Sequence, residues 1–292
     1  MKSQSINPQR KGEFFAVSLT VIEAWFPIFA AFSVAAIGAL HAYFYSLLVA
    51  VFFLFVWWLW KQRIAELKRT DAYKNLALTS FFITSLFSLT FIALEYTSAT
   101  NVAIILFLQI LFGFLFLGRK QQERLNLKQS IGAAFMTLGA LLILFPGTFQ
   151  INVGDLFVLG AAIIAPIANL YQKRARAQVS SETILLIRSI IALPFIYLLA
   201  ISLEKSPEFR LVLDQVLWLF LTGFTVFFIA KMLWVEAIYL LPITKVNALF
   251  AFAPLLTMVL AFFILDEVPS YYQILGILPV LIGGYLITQQ KN

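Results

Sequence analysis

The chain has 292 residues, of which 62% are hydrophobic and only 12% are charged, and its mean hydropathy is +0.92. About a quarter of the residues of an ordinary soluble domain are charged, so this composition excludes a soluble globular protein of the usual kind. The net charge of +7 comes from basic loops beside apolar stretches, where lysine and arginine are attracted to anionic lipid. It does not indicate nucleic-acid binding.

Ten apolar stretches follow one another along the chain, and short loops join them. About 20 residues of helix cross the ~30 Å hydrocarbon core of a bilayer, so each stretch is long enough to span it. The predicted spans are 14–36, 41–60, 75–97, 100–118, 129–146, 154–173, 183–203, 214–240, 243–265 and 270–289. The predicted fold class is an all-α membrane protein with ten transmembrane helices.

The basic residues of the loops predict the orientation of these spans. Placing the N-terminus in the cytoplasm puts 17 of the 21 lysines and arginines on the cytoplasmic side, as the positive-inside rule requires. The first span is too long for a signal peptide and lacks a cleavage site, so it is expected to be retained. We therefore predict a multi-pass protein of a bacterial-type inner (plasma) membrane with both termini in the cytoplasm.

The first span carries an acid near its middle. Glu23 lies about ten residues into this helix, and Pro27 follows four residues later. Proline cannot donate a hydrogen bond to the carbonyl of Glu23, so the helix should kink there. An acid at membrane depth costs roughly 2.5–3.5 kcal/mol and usually faces a cavity or a partner. Glu23 is therefore a candidate for binding a cation, an amine or a proton, or for a salt bridge to another helix.

Other polar residues stand near the ends of the middle spans. Glu95 ends the third helix close to the outer surface and Asn101 opens the fourth, whereas Lys245 opens the ninth on the cytoplasmic side. These residues are candidates for polar gates at the two mouths of a pathway through the membrane. Ordinary solvation at the membrane interface explains their positions almost as well. Asn169 is a further candidate for binding substrate, in the cytoplasmic half of the sixth helix, where Pro166 should bend the backbone.

Two basic residues lie within the seventh and eighth spans. Arg188 is close enough to the start of its helix for its side chain to snorkel to the cytoplasmic interface. Lys231 lies deeper, and it is expected to pair with Glu23 or to bind a substrate carboxylate. Glu236, a further candidate for binding substrate, projects from a different face nearer the cytoplasmic end of the helix, so its partner should lie on another helix. Trp234, like Trp25 in the first helix, is a candidate for stacking on substrate, although packing would account for either ring.

The second half of the chain repeats the first. Residues 98–146 align with 242–290 without a gap. The identities that lipid does not explain are Glu123/Glu267, Gln129/Gln273, Gly132/Gly276 and Gly139/Gly283. The two glycines of each copy are seven residues apart, so they share one helix face suited to close packing. Five spans per half is an odd number, which predicts two inverted five-helix repeats, 1–147 and 148–292.

This layout resembles the drug/metabolite transporter superfamily, specifically its ten-helix EamA-type branch. The resemblance is carried by FIALEYTSATNVAIILFLQILFGFLFL in the first copy and WVEAIYLLPITKVNALFAFAPLLTMVLAFFILDE in the second. In the first copy Ile110 stands where the family usually has proline, whereas Pro254 and Arg188 fit the family pattern. The resemblance implies a carrier, often an exporter, of amino-acid-like or other small organic compounds, with a cavity lined by helices from both halves.

The leading hypothesis is a secondary transporter that moves a small organic metabolite by alternating access, without a cofactor. Proton coupling through Glu23 and assembly into a homodimer are both compatible with the sequence. The alternative is an intramembrane enzyme or a lipid-handling protein. An enzyme is disfavoured because the chain has no cysteine and one histidine, which excludes a thiolate nucleophile and a Cys- or His-rich metal site. No phosphate-binding loop is present, so ATP does not drive transport directly.

Overall fold

The computed structural model describes residues 8–117, 127–144, 152–241, 246, 249–250 and 252–288, and all regular structure within them is helical. The α-helices are α1 Pro8–Glu23, α2 Phe26–Ile37, α3 Ala39–Trp60, α4 Tyr73–Ala93, α5 Ala99–Phe107, α6 Gln109–Leu117, α7 Leu127–Leu144, α8 Val153–Arg176, α9 Ser181–Leu203, α10 Phe209–Asp214, α11 Val216–Phe220, α12 Lys231–Leu240, α13 Ala253–Ile264 and α14 Tyr271–Thr288. Two 3₁₀ helices, Arg63–Lys68 and Thr70–Ala72, precede α4, and a π-helical segment, Leu221–Ala230, joins α11 to α12.

Seven helical stretches of the described chain are long and apolar enough to cross a membrane. They are Pro8–Ile37, Ala39–Trp60, Thr70–Ala93, Ala99–Phe116, Val153–Arg176, Ser181–Leu203 and Val216–Leu240. Three shorter apolar helices, Ser130–Ile143, Ala253–Ile264 and Tyr271–Leu286, fall within the predicted fifth, ninth and tenth spans. The protein is a multi-pass helical membrane protein, whereas the count of ten spans stays a prediction.

The first span is broken where Pro27 predicts a kink. Helix α1 ends at Glu23 and α2 begins at Phe26, because the proline nitrogen has no hydrogen to donate to the carbonyl of Glu23. The hydroxyl of Thr257 in α13 donates to the carbonyl of Ala24 at 2.9 Å. A neighbouring helix thus satisfies backbone exposed by the break, which is the condition for tolerating it inside a bilayer.

The largest buried cluster joins helices from both halves of the chain. It contains residues of α2, α3 and α4 together with residues of α8, α9 and the π-helical segment. Five aromatic rings lie at its centre, Phe26, Tyr43, Phe87, Phe91 and Phe227, with neighbouring centroids 5.0 to 6.1 Å apart. Large apolar side chains cover the outside of the bundle, as expected for a surface in contact with lipid.

Helices α7 and α14, which end the two halves, pack against each other through their glycines. A Cβ on Gly283 would lie 2.4 Å from the carbonyl oxygen of Gly132, and one on Gly139 would lie 2.5 Å from that of Gly276. The first glycine of each helix therefore meets the second glycine of the other, so the two helices run antiparallel. Because glycine has no side chain, the two backbones approach closely, and such close approach is a common basis for the association of helices in lipid.

Carboxylates that follow one helix bind the N-terminus of another. On α3, the backbone N–H groups of Leu40 and His41 donate to Glu204 at 2.7 and 3.2 Å, and Nδ1 of His41 lies 2.7 Å from it. Glu95 accepts from the N–H of Ala39 at 2.9 Å. The first N–H groups of a helix have no partner within it and carry partial positive charge, so these carboxylates act as caps.

The start of α9 is held in the reciprocal way. Glu66, which follows α3, accepts hydrogen bonds from the N–H of Ser180 at 2.9 Å and from the hydroxyls of Ser180 and Thr183 at 2.8 and 2.6 Å. Partial burial raises the pKa of the Glu66 carboxyl, but these hydrogen bonds outweigh burial and hold that pKa below its usual value. Thus the acid after α9 caps α3, and the acid after α3 caps α9.

Glu267, one of the residues shared by the two repeats, caps a third helix N-terminus, that of α5. Its carboxylate accepts from the N–H of Ala99 at 2.9 Å and from the N–H and hydroxyl of Thr100 at 3.2 and 3.0 Å. Glu267 therefore ties the loop before α14 to the start of α5. Its counterpart Glu123, and the candidate gate Lys245, lie outside the described residues.

Candidate functional site

Glu23 and Lys231 form an ion pair inside the bundle. Nζ of Lys231 lies 2.5 Å from Oε1 of Glu23, and the two side chains are 12% and 9% exposed, respectively. The ammonium group also lies 4.9 Å from the centroid of the Phe87 ring, a distance at which a cation is attracted to an aromatic face. The pair joins α1 of the first half to α12 of the second.

Local structure explains why these two charges meet. Glu23 is the last residue of α1, at the break that Pro27 imposes. Lys231 is the first residue of α12, directly after the π-helical segment Leu221–Ala230. A π-helix takes more residues per turn than an α-helix, so it changes the direction in which the residues after it project. Both charged residues thus lie at irregular points of their helices, and functional sites often occur at such points.

Arg188 is the clearest error of the sequence analysis. Its side chain does not snorkel to the interface: the residue is only 5% exposed, and Nη1 donates to Oε1 of Gln172 in α8 at 2.6 Å. Arg188 instead lines a small, partly open cavity of about 10 Å³, which has room for roughly one water molecule. The other residues of its wall are Tyr43, Leu47, Ile83, Thr84, Phe87, Ser189, Ala192 and Phe227.

Glu236 lies in a separate polar cluster nearer the end of α12. Arg176 binds it through two nitrogens, at 3.0 and 3.3 Å, and the hydroxyl of Ser181 also donates to it. The guanidinium of Arg176 lies 4.3 Å from the ring centroid of Tyr239. This cluster ties α8, α9 and α12 together. Glu236 therefore finds its partners away from Lys231, as the helix geometry predicts.

Asn169 and Trp234 contact each other between α8 and α12. The indole nitrogen of Trp234 donates to Oδ1 of Asn169 at 3.1 Å, and Nδ2 of Asn169 lies 3.5 Å from Oε1 of Gln109. Both Asn169 and Trp234 are buried, at 8% exposure. Trp25 lies at the break in the first span, where its ring stacks on Phe29 with centroids 5.3 Å apart.

Asn101 belongs to a polar network at the start of α5 that the sequence analysis missed in part. Its Nδ2 donates to the two carboxylate oxygens of Asp155 at 3.1 and 3.3 Å, and Gln273 donates to its Oδ1 at 2.8 Å. Asp155 is 3% exposed and also accepts from the hydroxyl of Thr97 at 2.5 Å. The sequence offered one signal for Asp155, namely that it is an acid in the first turn of a mainly apolar helix. Glu95, which caps α3, is not part of this network.

Of the eight predicted site residues, the structure joins two pairs by hydrogen bonds, Glu23 with Lys231 and Asn169 with Trp234. Glu95, Asn101 and Glu236 each have other partners. Within the part of the chain that the structure describes, no three His, Cys, Asp or Glu residues form a cluster able to hold a metal ion. The charged groups that the described residues place near the centre are the acid Glu23, the amine Lys231 and the guanidinium of Arg188.

Comparisons with known proteins agree with this architecture. A curated relative, an uncharacterized transporter of Archaeoglobus fulgidus, is 25% identical over 260 residues, which are 85% of this chain and 87% of that protein. An uncharacterized transporter of Synechocystis is 24% identical over 209 residues, 68% of this chain and 60% of that protein. A crystal structure described only as that of a protein shares the fold, with a TM-score of 0.70 at 18% identity, covering 96% of this chain and 95% of its own.

The family comparison covers nearly the whole chain. The model of the EamA-like transporter family matches twice, over residues 10–145 and 152–289. Each match takes in one of the two halves whose last helices, α7 and α14, meet through equivalent glycines. The chain belongs to the EamA-like transporter family.

Proposed function

We propose that this transporter is a secondary carrier of a small organic metabolite, working by alternating access with Glu23 and Lys231 at its substrate site. The observation that carries the proposal is the buried ion pair between α1 and α12. Removing two charges from water costs several kcal/mol per ion, and their attraction only partly repays that cost. Hydrophobic residues would hold these helices together at least as well, so the pair favours a role in transport over scaffolding.

An exchange of partners is the simplest way in which this pair would act. An amine or a proton competes with Lys231 for Glu23, and a carboxylate competes with Glu23 for Lys231. Either competitor loosens the contact between the two halves, which is the coupling between binding and conformational change that a carrier needs. Proton coupling through Glu23 follows the same logic, and export is proposed because the transporters that this chain resembles are often exporters.

The arrangement in the membrane is proposed on two further grounds. The antiparallel contact of α7 with α14 supports two inverted halves, divided near residues 147 and 148, because equivalent helices of inverted repeats cross the membrane in opposite senses. The asymmetric distribution of lysine and arginine supports ten spans with both termini in the cytoplasm of a bacterial-type inner membrane. Assembly into a homodimer stays a prediction.

Counterflow in liposomes tests the carrier mechanism. Metabolites that raise the melting temperature of the purified protein are loaded into proteoliposomes, and exchange of the labelled compound is measured for the parent, Glu23→Gln and Lys231→Met. We expect both variants to lose most of the exchange. Glu208→Gln and Lys205→Met, matched changes at exposed residues, should exchange normally.

The same vesicles separate the alternatives. Normal exchange by both central variants would reduce the ion pair to scaffolding. Turnover of a compound without flux would favour an enzyme, and movement of a labelled lipid between leaflets would favour a lipid-handling protein.

A further inference from the structure

We infer that Arg188 and the cavity beside it form the recognition site for an anionic group, so that the transported compound is a small organic monoanion with an apolar body. The inference rests on the proposed carrier function and goes beyond it by naming a charge class and a residue. Glu23 and Lys231 alone would suffice to bind the two charges of a zwitterionic substrate, so the involvement of Arg188 favours a monoanion instead.

The first ground is that no acidic side chain of the described residues forms an ion pair with Arg188. Among the described residues, no carboxylate lies within 4 Å of its guanidinium, whereas Lys231 has Glu23 at 2.5 Å. The hydrogen bond shown for Arg188 goes to the uncharged amide of Gln172. A guanidinium has five N–H donors and stays charged in proteins. A buried cation of this kind requires an anion, and the described residues do not supply one in contact with it.

The second ground is the charge balance around the aromatic centre. Phe87 touches both charged sites, since its ring lies beneath the ammonium of Lys231 and also lines the cavity of Arg188. Two cations, Lys231 and Arg188, thus lie near one acid, Glu23. A zwitterion would leave one positive charge uncompensated at this depth, whereas a monoanion neutralises it.

The third ground is the chemistry of the cavity wall. Tyr43, Thr84 and Ser189, which carry hydroxyl groups, line the same cavity as Arg188, and so do the aromatic residues Phe87 and Phe227. The planar fork of arginine matches the two oxygens of a carboxylate, and hydroxyls can donate to the same oxygens. The rings suit an apolar or aromatic body.

The present volume of the cavity, about 10 Å³, fits one water molecule and not a metabolite. At this volume the site has no room for a metabolite beside Arg188. Separation of α4, in the first half, from α9, in the second half, would open it, since these elements supply Phe87 and Arg188. Such a movement between the two halves is what alternating access requires.

Paired acids and amides test the anion site directly. Thermal unfolding of the purified protein is followed with benzoate, phenylacetate and hexanoate, each compared with its carboxamide, which has nearly the same shape but no charge. We expect at least one acid to stabilise the parent and its amide not to. Arg188→Gln should weaken the apparent affinity for that acid by about tenfold or more, Arg188→Lys should retain part of it, and Arg210→Gln, an exposed arginine, should match the parent.

Milder variants guard against a failure of Arg188→Gln to fold. Ser189→Ala and Thr84→Val each remove one hydroxyl from the wall and should weaken binding of the same acid by a smaller factor. The inference is overturned if no acid stabilises the parent, if acids and amides do so equally, or if the arginine and hydroxyl variants bind the acid like the parent.

Counterflow distinguishes this inference from the carrier function on which it rests. Exchange of neutral or cationic metabolites without exchange of acids would leave the carrier intact and remove the anion site. Exchange of no metabolite at all would remove the carrier function itself.

Discussion

The acids at the ends of the helices and the acid at the centre of the bundle do different work. Glu204, Glu95, Glu66 and Glu267 each accept hydrogen bonds from the start of a distant helix. Their partners are mostly backbone groups, which no substrate could displace without unravelling the helix. Among the described residues, Glu23 instead pairs with one side chain, that of Lys231. A carboxylate that binds backbone stabilises one structure, whereas one that binds a side chain can exchange that partner for a ligand.

The largest effect should come from breaking the central pair on one side. Glu23→Gln leaves the ammonium of Lys231 buried without an anion in contact, and we expect a loss of about 3–5 kcal/mol of stability. The double variant Glu23→Gln with Lys231→Met removes both charges and should recover most of that loss. Denaturation of the two single variants and the double variant in detergent measures this coupling.

The double variant sharpens the contrast with the helix-end acids. It should be nearly as stable as the parent and yet fail to exchange substrate. A double variant that exchanges normally would place the central pair in the same structural class as Glu204 and Glu66.

A smaller loss is expected from crowding the cap of α3. Gly38 has a φ of +86°, a conformation that side chains rarely adopt, and a Cβ there would lie 2.6 Å from Oε2 of Glu204. Gly38→Ala should therefore cost about 2 kcal/mol through backbone strain and displacement of the carboxylate. The melting temperature of the purified protein measures it.

Gly160→Ala is the matched control for Gly38→Ala. A Cβ on Gly160 would lie 3.5 Å from Leu89 in ordinary contact, and alanine favours a helix interior over glycine. This variant should be as stable as the parent or slightly more so. Equal stability of the two variants would show that the contact of Glu204 with the start of α3 contributes little.

The smallest effect concerns pH and the cap of α9. The pKa of Glu66 is lower in the folded protein than its usual value of 4.5, so its contribution to stability is present above that value. The contribution is lost as the pH falls through the lower, folded pKa. The melting temperature of the parent should thus fall more steeply below pH 4.5 than that of Glu66→Gln, which cannot titrate there. Parallel curves for the two proteins would contradict the cap.

The sequence predicted the pairing of Glu23 with Lys231 as one of two possibilities because the signals for both residues are local. A carboxylate beside a proline in an apolar helix, and a lysine deep in another, are costly wherever the chain folds. Sequence reasoning failed at Arg188 because a helix position alone does not say whether lipid, water or another helix surrounds a side chain. It passed over Asp155 because its partner Asn101 is 54 residues away and leaves no local pattern.

The sequence by itself determined that this protein crosses the membrane several times, that its halves are related, and that its first span breaks at Pro27. Hydropathy, repeat spacing and a missing backbone hydrogen are properties of a segment, and folding does not change them. Only the tertiary structure decided which acid caps which helix, that Arg188 is buried beside a cavity, and that Lys231 meets Glu23 after a π-helical segment. These depend on contacts between residues as many as 208 positions apart, and the close approach of packed helices alone creates them.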